Sequence, residues 1–225
     1  MEKYAVIVAG GKGTRMGTDL PKQYLPIKGL PVLMRSIQKF HLAEPLCKLI
    51  LVIPSVDFEF WKGLCAKYDF AVPHQVVAGG TSRFQSVSNG LAVIEGTEGV
   101  VAIHDGVRPF VAVEVIQESF LVAKKDGSAI AVVPLKDSLR KLTDSGESFF
   151  QERQQFRLVQ TPQTFQVSKI KKAFEVEEIP QFTDDATVYE FQGWQVSLID
   201  GNLENIKITT PDDLSYAEYL LSKVG

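Results

Sequence analysis

YAVIVAGGKGTRMG, residues 4–17, is the stretch that decides the fold. Tyr4 to Val8 is a short apolar run that stops at glycines, as a strand buried on both faces does. Glycines directly after such a strand let the backbone turn its N–H groups toward an anion, and Lys12 and Arg15 add charge where several anionic oxygens would gather. Two phosphate-binding fingerprints can be tested by spacing. The dinucleotide pattern fails because, after Gly11 and Gly13, its third glycine position falls on Met16. The P-loop pattern fails because Lys12 is followed by Gly13 rather than by Ser or Thr. What remains is a phosphate cradle of another kind, or a glycine turn with no ligand.

Beyond this stretch, short apolar runs alternate with longer segments of helical period. Leu49 to Ile53, Gln75 to Ala78, Val100 to His104 and Ala129 to Val133 read as strands, while Val32 to Leu42, Phe58 to Tyr68, Arg83 to Ile94 and Glu114 to Lys125 read as helices. The alternation predicts an α/β fold with a mostly parallel, doubly wound, Rossmann-like sheet. In such sheets ligands sit at the carboxyl ends of the strands, so the loops after Val8, Ala78 and His104 should converge. Leu135 to Gln160 break the pattern. They are polar, carry the turn Asp144-Ser145-Gly146, and read as a protruding β-hairpin arm. Helices over Val167 to Glu177 and Asp184 to Phe191, a strand over Gln195 to Ile199 and a final helix after Pro211 complete the chain, with Asp212 and Asp213 in that helix's first turn.

Three further loops carry unusual chemistry. LPKQYLP, residues 20–26, holds Lys22 between two prolines, which stiffen the segment and suit a cation that must meet a developing charge; alone, Lys22 would read as a solvated surface residue. AGGTSRFQSV, residues 78–87, is a strand-to-helix joint in which Gly79 and Gly80 permit close backbone approach and Thr81 or Ser82 can cap the helix. Ser86 lies one turn in, able to reach a base or sugar edge. HDGVRP, residues 104–109, puts Asp105 at the end of a buried strand with Arg108 three residues on, a costly placement unless the carboxylate is paired or used for a ligand. A plain Asp105–Arg108 bridge is the alternative.

Composition narrows the classes. The chain has 225 residues, 45% of them hydrophobic and 23% charged, which suits one globular unit over residues 1–225 with 135–160 as its appendage. A net charge of −3 gives no general attraction to polyanions, so any phosphate site must be local and a nucleic-acid partner is disfavoured. Cys47 and Cys65 form no CxxC pair, and His41, His74 and His104 are scattered, so a structural zinc site is not expected. The N-terminal segment lacks the pattern of a secretory signal and no run approaches membrane-spanning length, so a cytoplasmic protein without a membrane partner is expected.

Eight segments in order, AGGKGTRMG, LPKQYLP, GGTSRFQSV, HDGVRPF, VPLKDSLRK, QTPQTF, FTDDATVYE and GNLENIKITTPDDL, give the chain a family likeness over nearly its whole length. It resembles the 2-C-methyl-D-erythritol 4-phosphate cytidylyltransferases, enzymes of non-mevalonate isoprenoid synthesis. The first four segments are also similar to ribitol-5-phosphate cytidylyltransferases, but FTDDATVYE and the DSLRK arm look more like the isoprenoid family. The resemblance implies a nucleotidyltransferase-type fold and transfer of CMP from CTP to methylerythritol phosphate. It implies that Gly10, Gly11, Gly13, Gly80 and Ser86 bind CTP, and that Arg15, Lys22 and Lys207 are catalytic at the α-phosphate. Asp105, Arg108, Thr161 and Thr183 would serve the sugar phosphate, with Ser138 and Arg153 delivered by the arm of a homodimer partner. Mg2+ would be held mainly by CTP phosphates. Two departures from the family pattern are Ser138 in place of Thr and Gly106-Val107 in place of two alanines. Two other classes remain to be separated by pyrophosphate release: a nucleotide-binding domain without turnover, and a glycosyltransferase, for which His104-Asp105-Gly106 lacks the usual D-x-D pair.

Overall fold

A computed structural model describes residues 1–11 and 20–223. In chain order, β1 (Lys3–Val8) leads to a 3-10 turn over Lys22–Tyr24 and a minimal hairpin of β2 (Pro26–Ile27) and β3 (Leu30–Pro31). Then come α1 (Val32–Ala43), β4 (Lys48–Ile53), α2 (Phe58–Lys67), β5 (Gln75–Ala78), α3 (Arg83–Ala92), β6 (Val100–Asp105), α4 (Val113–Asp126) and β7 (Ser128–Pro134). The arm holds β8 (Leu139–Leu142) and β9 (Ser148–Gln151). After it follow β10 (Arg157–Gln166), α5 (Val167–Ala173), α6 (Asp185–Glu190), β11 (Leu198–Asp200) and α7 (Pro211–Ser222).

Seven strands form one sheet in the order β11-β7-β10-β6-β1-β4-β5. Every neighbouring pair is parallel except those that β10 makes with β6 and β7. Side chains alternate across the pleat. Ala5 and Ile7 of β1 join Leu33, Ile37, Phe40, Trp61 and Phe120 on one face. Tyr4, Val6 and Val8 join Val87, Leu91, Ile170 and Tyr189 on the other. With apolar layers on both faces, the sheet is doubly wound as expected.

Local chemistry sets several boundaries. α4 stops where Gly127 takes φ 99°, the left-handed conformation that glycine adopts without a Cβ penalty. α7 starts in a capping box between Thr210 and Asp213 with Pro211 in its first turn. The sequence reading needs three corrections. The helix expected over Val167 to Glu177 ends at Ala173. The strand expected at Gln195 to Ile199 is Leu198–Asp200. The last residues assigned to the arm belong to β10, which enters the centre of the sheet. Among the described residues no helix is long and apolar enough to cross a membrane.

Candidate active site

The chain runs outward from β1 through β4 to β5 and then returns to β6 on the other side of β1, so the connections diverge between β1 and β6. That divergence leaves a crevice at the carboxyl ends of the two strands. A cavity of about 390 Å³ opens there, and Ala9, Gly10, Gly11, Lys22, Gly80, Ser86, Asp105 and Lys207 are among its lining. The three loops expected to converge do so, joined by the segment after β11. Lys12, Gly13 and Arg15 lie outside the described residues.

Lys22 reaches this rim because Pro21 opens the 3-10 turn and Tyr24 N–H closes back on the Pro21 carbonyl at 2.9 Å. The neighbouring Gln23 is buried and donates to the Ala9 carbonyl at 3.0 Å, pinning the turn to the end of β1. Elsewhere in the lining, Ser82 caps α3 by accepting from Gln85 N–H at 3.1 Å. The Ser86 hydroxyl donates to the Ser82 carbonyl at 2.8 Å and accepts from Gly80 N–H at 3.1 Å. Gly80 is required by space, since a Cβ on it would lie 2.3 Å from Gln85 Cβ.

Asp105 is the hub. It is buried at the end of β6, and one carboxylate oxygen lies 3.2 Å from Arg108 Nε and 3.0 Å from Lys207 Nζ, while the other lies 3.6 Å from Arg83 Nε. Burial alone would raise its pKa; the charges of Arg83, Lys207 and Arg108 outweigh that and hold the carboxyl well below the usual range. The bridge to Arg108 foreseen as an alternative therefore exists, but within a larger cluster.

Sequence reasoning did not place Arg83 and Asp185 in the site. Arg83 grips the buried Asp185 through two bonds of 2.8 and 2.6 Å. Burial works against the guanidinium's charge, and Asp185 and Asp105 together overcome it, so Arg83 is held more firmly protonated than usual. A buried carboxylate at the end of β6 signals a need for counter-charge, but only the fold brings Arg83, at the start of α3, to meet it.

Behind Asp105 the imidazole of His104 is fully buried, edge-on to Phe40 at 4.9 Å between ring centres. Its Nε2 faces the Arg108 carbonyl at 3.0 Å and its Nδ1 faces the Thr161 hydroxyl at 3.0 Å. A carbonyl only accepts, so Nε2 carries the hydrogen and Nδ1 accepts from Thr161. Burial pushes the imidazole down to about 4, which keeps it neutral near pH 7. Thr161 is itself buried, and its oxygen also accepts from Asp105 N–H at 3.1 Å.

The remaining expected residues are farther out. Thr183 is exposed just before α6. Ser138 and Arg153 are exposed on the arm, where Arg153 donates to the Lys136 carbonyl, and neither joins the lining of the cavity within the chain.

The family model for 2-C-methyl-D-erythritol 4-phosphate cytidylyltransferase matches residues 4–223. A protein of that name from Bacteroides fragilis is 50% identical over 98% of this chain and 100% of its own length. One from Porphyromonas gingivalis is 47% identical, covering 98% of each. Among solved structures, 4-diphosphocytidyl-2C-methyl-D-erythritol synthase from Anaerococcus prevotii superposes with a TM-score of 0.84 at 29% identity, over 98% of this chain and 96% of the other. The Thermus thermophilus 2-C-methyl-D-erythritol 4-phosphate cytidylyltransferase gives 0.76 at 26% identity over 99% and 100%.

Proposed function

Since the chain belongs to the 2-C-methyl-D-erythritol 4-phosphate cytidylyltransferase family, we propose that the cavity over β1 and β6 is where CTP meets methylerythritol phosphate. The enzyme transfers CMP from CTP to 2-C-methyl-D-erythritol 4-phosphate and releases pyrophosphate, in isoprenoid precursor synthesis. The observation that carries the placement is the meeting of Gly10, Gly11, Gly80 and Ser86 with Lys22 and Lys207 around one cavity at a switch point of the sheet.

In this reading the glycine loops and Ser86 hold CTP, Gly13 included. An oxygen of the sugar phosphate attacks the α-phosphorus in line, a P–O bond forms, and the bond to the β-phosphate breaks with its electron pair leaving on pyrophosphate. The attacking phosphate is already ionised near neutral pH, so the site needs cations rather than a strong general base. Lys22 and Lys207, both lining the cavity, supply them, with Arg15 from the first loop. Asp105 fixes Lys207 and Arg108, and Asp105, Arg108 and Thr183 orient the sugar phosphate.

Magnesium belongs to this proposal as the companion of the triphosphate, whose charge it would partly neutralise. Asp105 is the one carboxylate among the described residues lining the cavity, and its oxygens are engaged by Arg83, Arg108 and Lys207, so phosphate oxygens and water are the natural ligands of the ion. Excess chelator is expected to abolish turnover; full activity under those conditions would remove the metal from the scheme.

A homodimer completes the proposal, with the arm of one subunit bringing Ser138 and Arg153 to its partner's site. Support comes from Phe149, Phe150 and Phe156, which are exposed on the arm rather than folded back on the chain's own body. A second cavity of about 380 Å³ lies at the root of the arm, lined by Val133, Leu158, Val159 and Asn205. Asn205 is buried, and its Oδ1 has no partner among the described residues. The cytoplasm is the proposed location, supported by the unbridged Cys47 and Cys65. The deciding assay compares pyrophosphate release from CTP with methylerythritol phosphate and with ribitol 5-phosphate. Preference for the first is expected, and equal turnover of the second would overturn the substrate assignment.

A further inference from the structure

We propose that His104 and Thr161 act as a pair of positioning residues that shape the Asp105–Arg108 turn and so set the binding of the sugar phosphate, without touching it. β10 pairs with β6 from Gln166 to Gln163, and its register with β7 then shifts between Gln163 and Val159. The ladder between β6 and β10 therefore ends at Ile103, short of Asp105, whose N–H lies buried beyond the last rung. A buried amide without a partner is costly, and the side chain of Thr161 supplies one at 3.1 Å.

Accepting from Asp105 orients the Thr161 hydroxyl to donate to His104 Nδ1, and this leaves Nε2–H to hold the Arg108 carbonyl. A bulge in one strand is thus converted, through two side chains, into a fixed position for both ends of the turn. Its middle is held separately. Gly106 N–H donates to the Val8 carbonyl at 2.8 Å, and the Ser36 hydroxyl donates to the Gly106 carbonyl at 2.9 Å. Only the ends carry the charged side chains, and only the ends depend on His104 and Thr161. Phenylalanine in place of His104 would preserve the packing on Phe40 but neither bond, and valine in place of Thr161 would preserve shape but not the hydroxyl.

This inference rests on the reading that Asp105 and Arg108 serve the sugar phosphate, and the experiment separates the two. Michaelis constants for CTP and for methylerythritol phosphate are measured for His104→Phe, Thr161→Val, their combination, Thr161→Ser and Arg108→Ala. The expectation is a rise of about tenfold in KM for methylerythritol phosphate in each of the first two, the scale of a lost buried hydrogen bond. KM for CTP should change much less. The double variant should be little worse than either single, because the bonds form one chain, and Thr161→Ser should restore the parent value. Losses that multiply in the double variant would overturn the inference. So would a fall in kcat alone with both KM values unchanged, the signature of a smaller folded fraction. An Arg108→Ala protein with the parent's KM for methylerythritol phosphate would instead overturn the underlying reading.

Discussion

Lys22 and His104 illustrate opposite uses of a titratable side chain, one presented to the cavity and one sealed behind it. The role proposed for Lys22 is to meet charge that grows on the α-phosphate as the new bond forms, so Lys22→Ala should reduce turnover far more than CTP affinity. Removing one such donor costs on the order of 10²- to 10³-fold. Single-turnover rates beside equilibrium CTP binding measure the split, and a variant keeping half of the parent's rate would exclude Lys22 from the chemistry. His104 makes a prediction about stability. Its ordinary value is 6.5 and burial lowers it to about 4 in the fold. Between those values the unfolded chain binds the extra proton and the folded chain does not, so stability falls as pH drops from 6.5 toward 4. The loss should approach about 3 kcal/mol at roughly 1.4 kcal/mol per unit. Below that window Asp105, whose carboxyl is held low by its cations, adds a further loss. Denaturant midpoints across pH for the parent and His104→Phe isolate the histidine. Equal slopes between pH 6.5 and 4 would show that it does not titrate there.

In the proposed CTP site, Gly80 sets how closely the loop leading into α3 can approach the nucleotide. An added Cβ would stand 2.3 Å from Gln85 Cβ, in the first turn of that helix, so Gly80→Ala must move either the loop or the helix start. Displacement of a binding group by about 1 Å costs up to ~10²-fold. A tenfold or greater rise in KM for CTP with an unchanged melting temperature is expected, and an unchanged KM would show that the loop yields freely. Elements of this kind were the legible part of the sequence. Alternating apolar runs revealed the parallel strands, and glycines after Val8 and Ala78 marked the loops that meet the cavity. β10 was hidden because Thr161-Pro162-Gln163 interrupts its apolar pattern and most of its partners are distant in sequence. Arg83 and Asp185 were hidden for a related reason: each looks like an ordinary charged residue at a helix start, and only the fold places one against the other. Arg108 was marked by its spacing from Asp105, which foresaw a bridge between the two, and Lys207 by resemblance; that both meet one carboxylate, beside Arg83, came from the structure.

Across the whole molecule the arm is the feature that a lone chain leaves unused, with Phe149, Phe150 and Leu142 turned to solvent. If it completes a neighbour's site, mixing Arg153→Ala with Lys22→Ala protein should regain activity. Each exchanged dimer then holds one site with both defects and one with neither, so recovery toward about half is expected by symmetry. Demonstrated subunit exchange without recovery, or a monomer in sedimentation at assay concentration, would refute the cross-subunit role. The cavity has one further consequence, in the time in which the chain is made. Gly10 and Gly11 leave the ribosome long before Lys207 and Thr209, yet all four line the same space. A chain arrested before residue 207 carries the early glycine loop but lacks a cation bound to Asp105. On the role proposed for Lys207, synthesis completes the site only once residue 207 has been added, and translation products that stop short of it should be inactive.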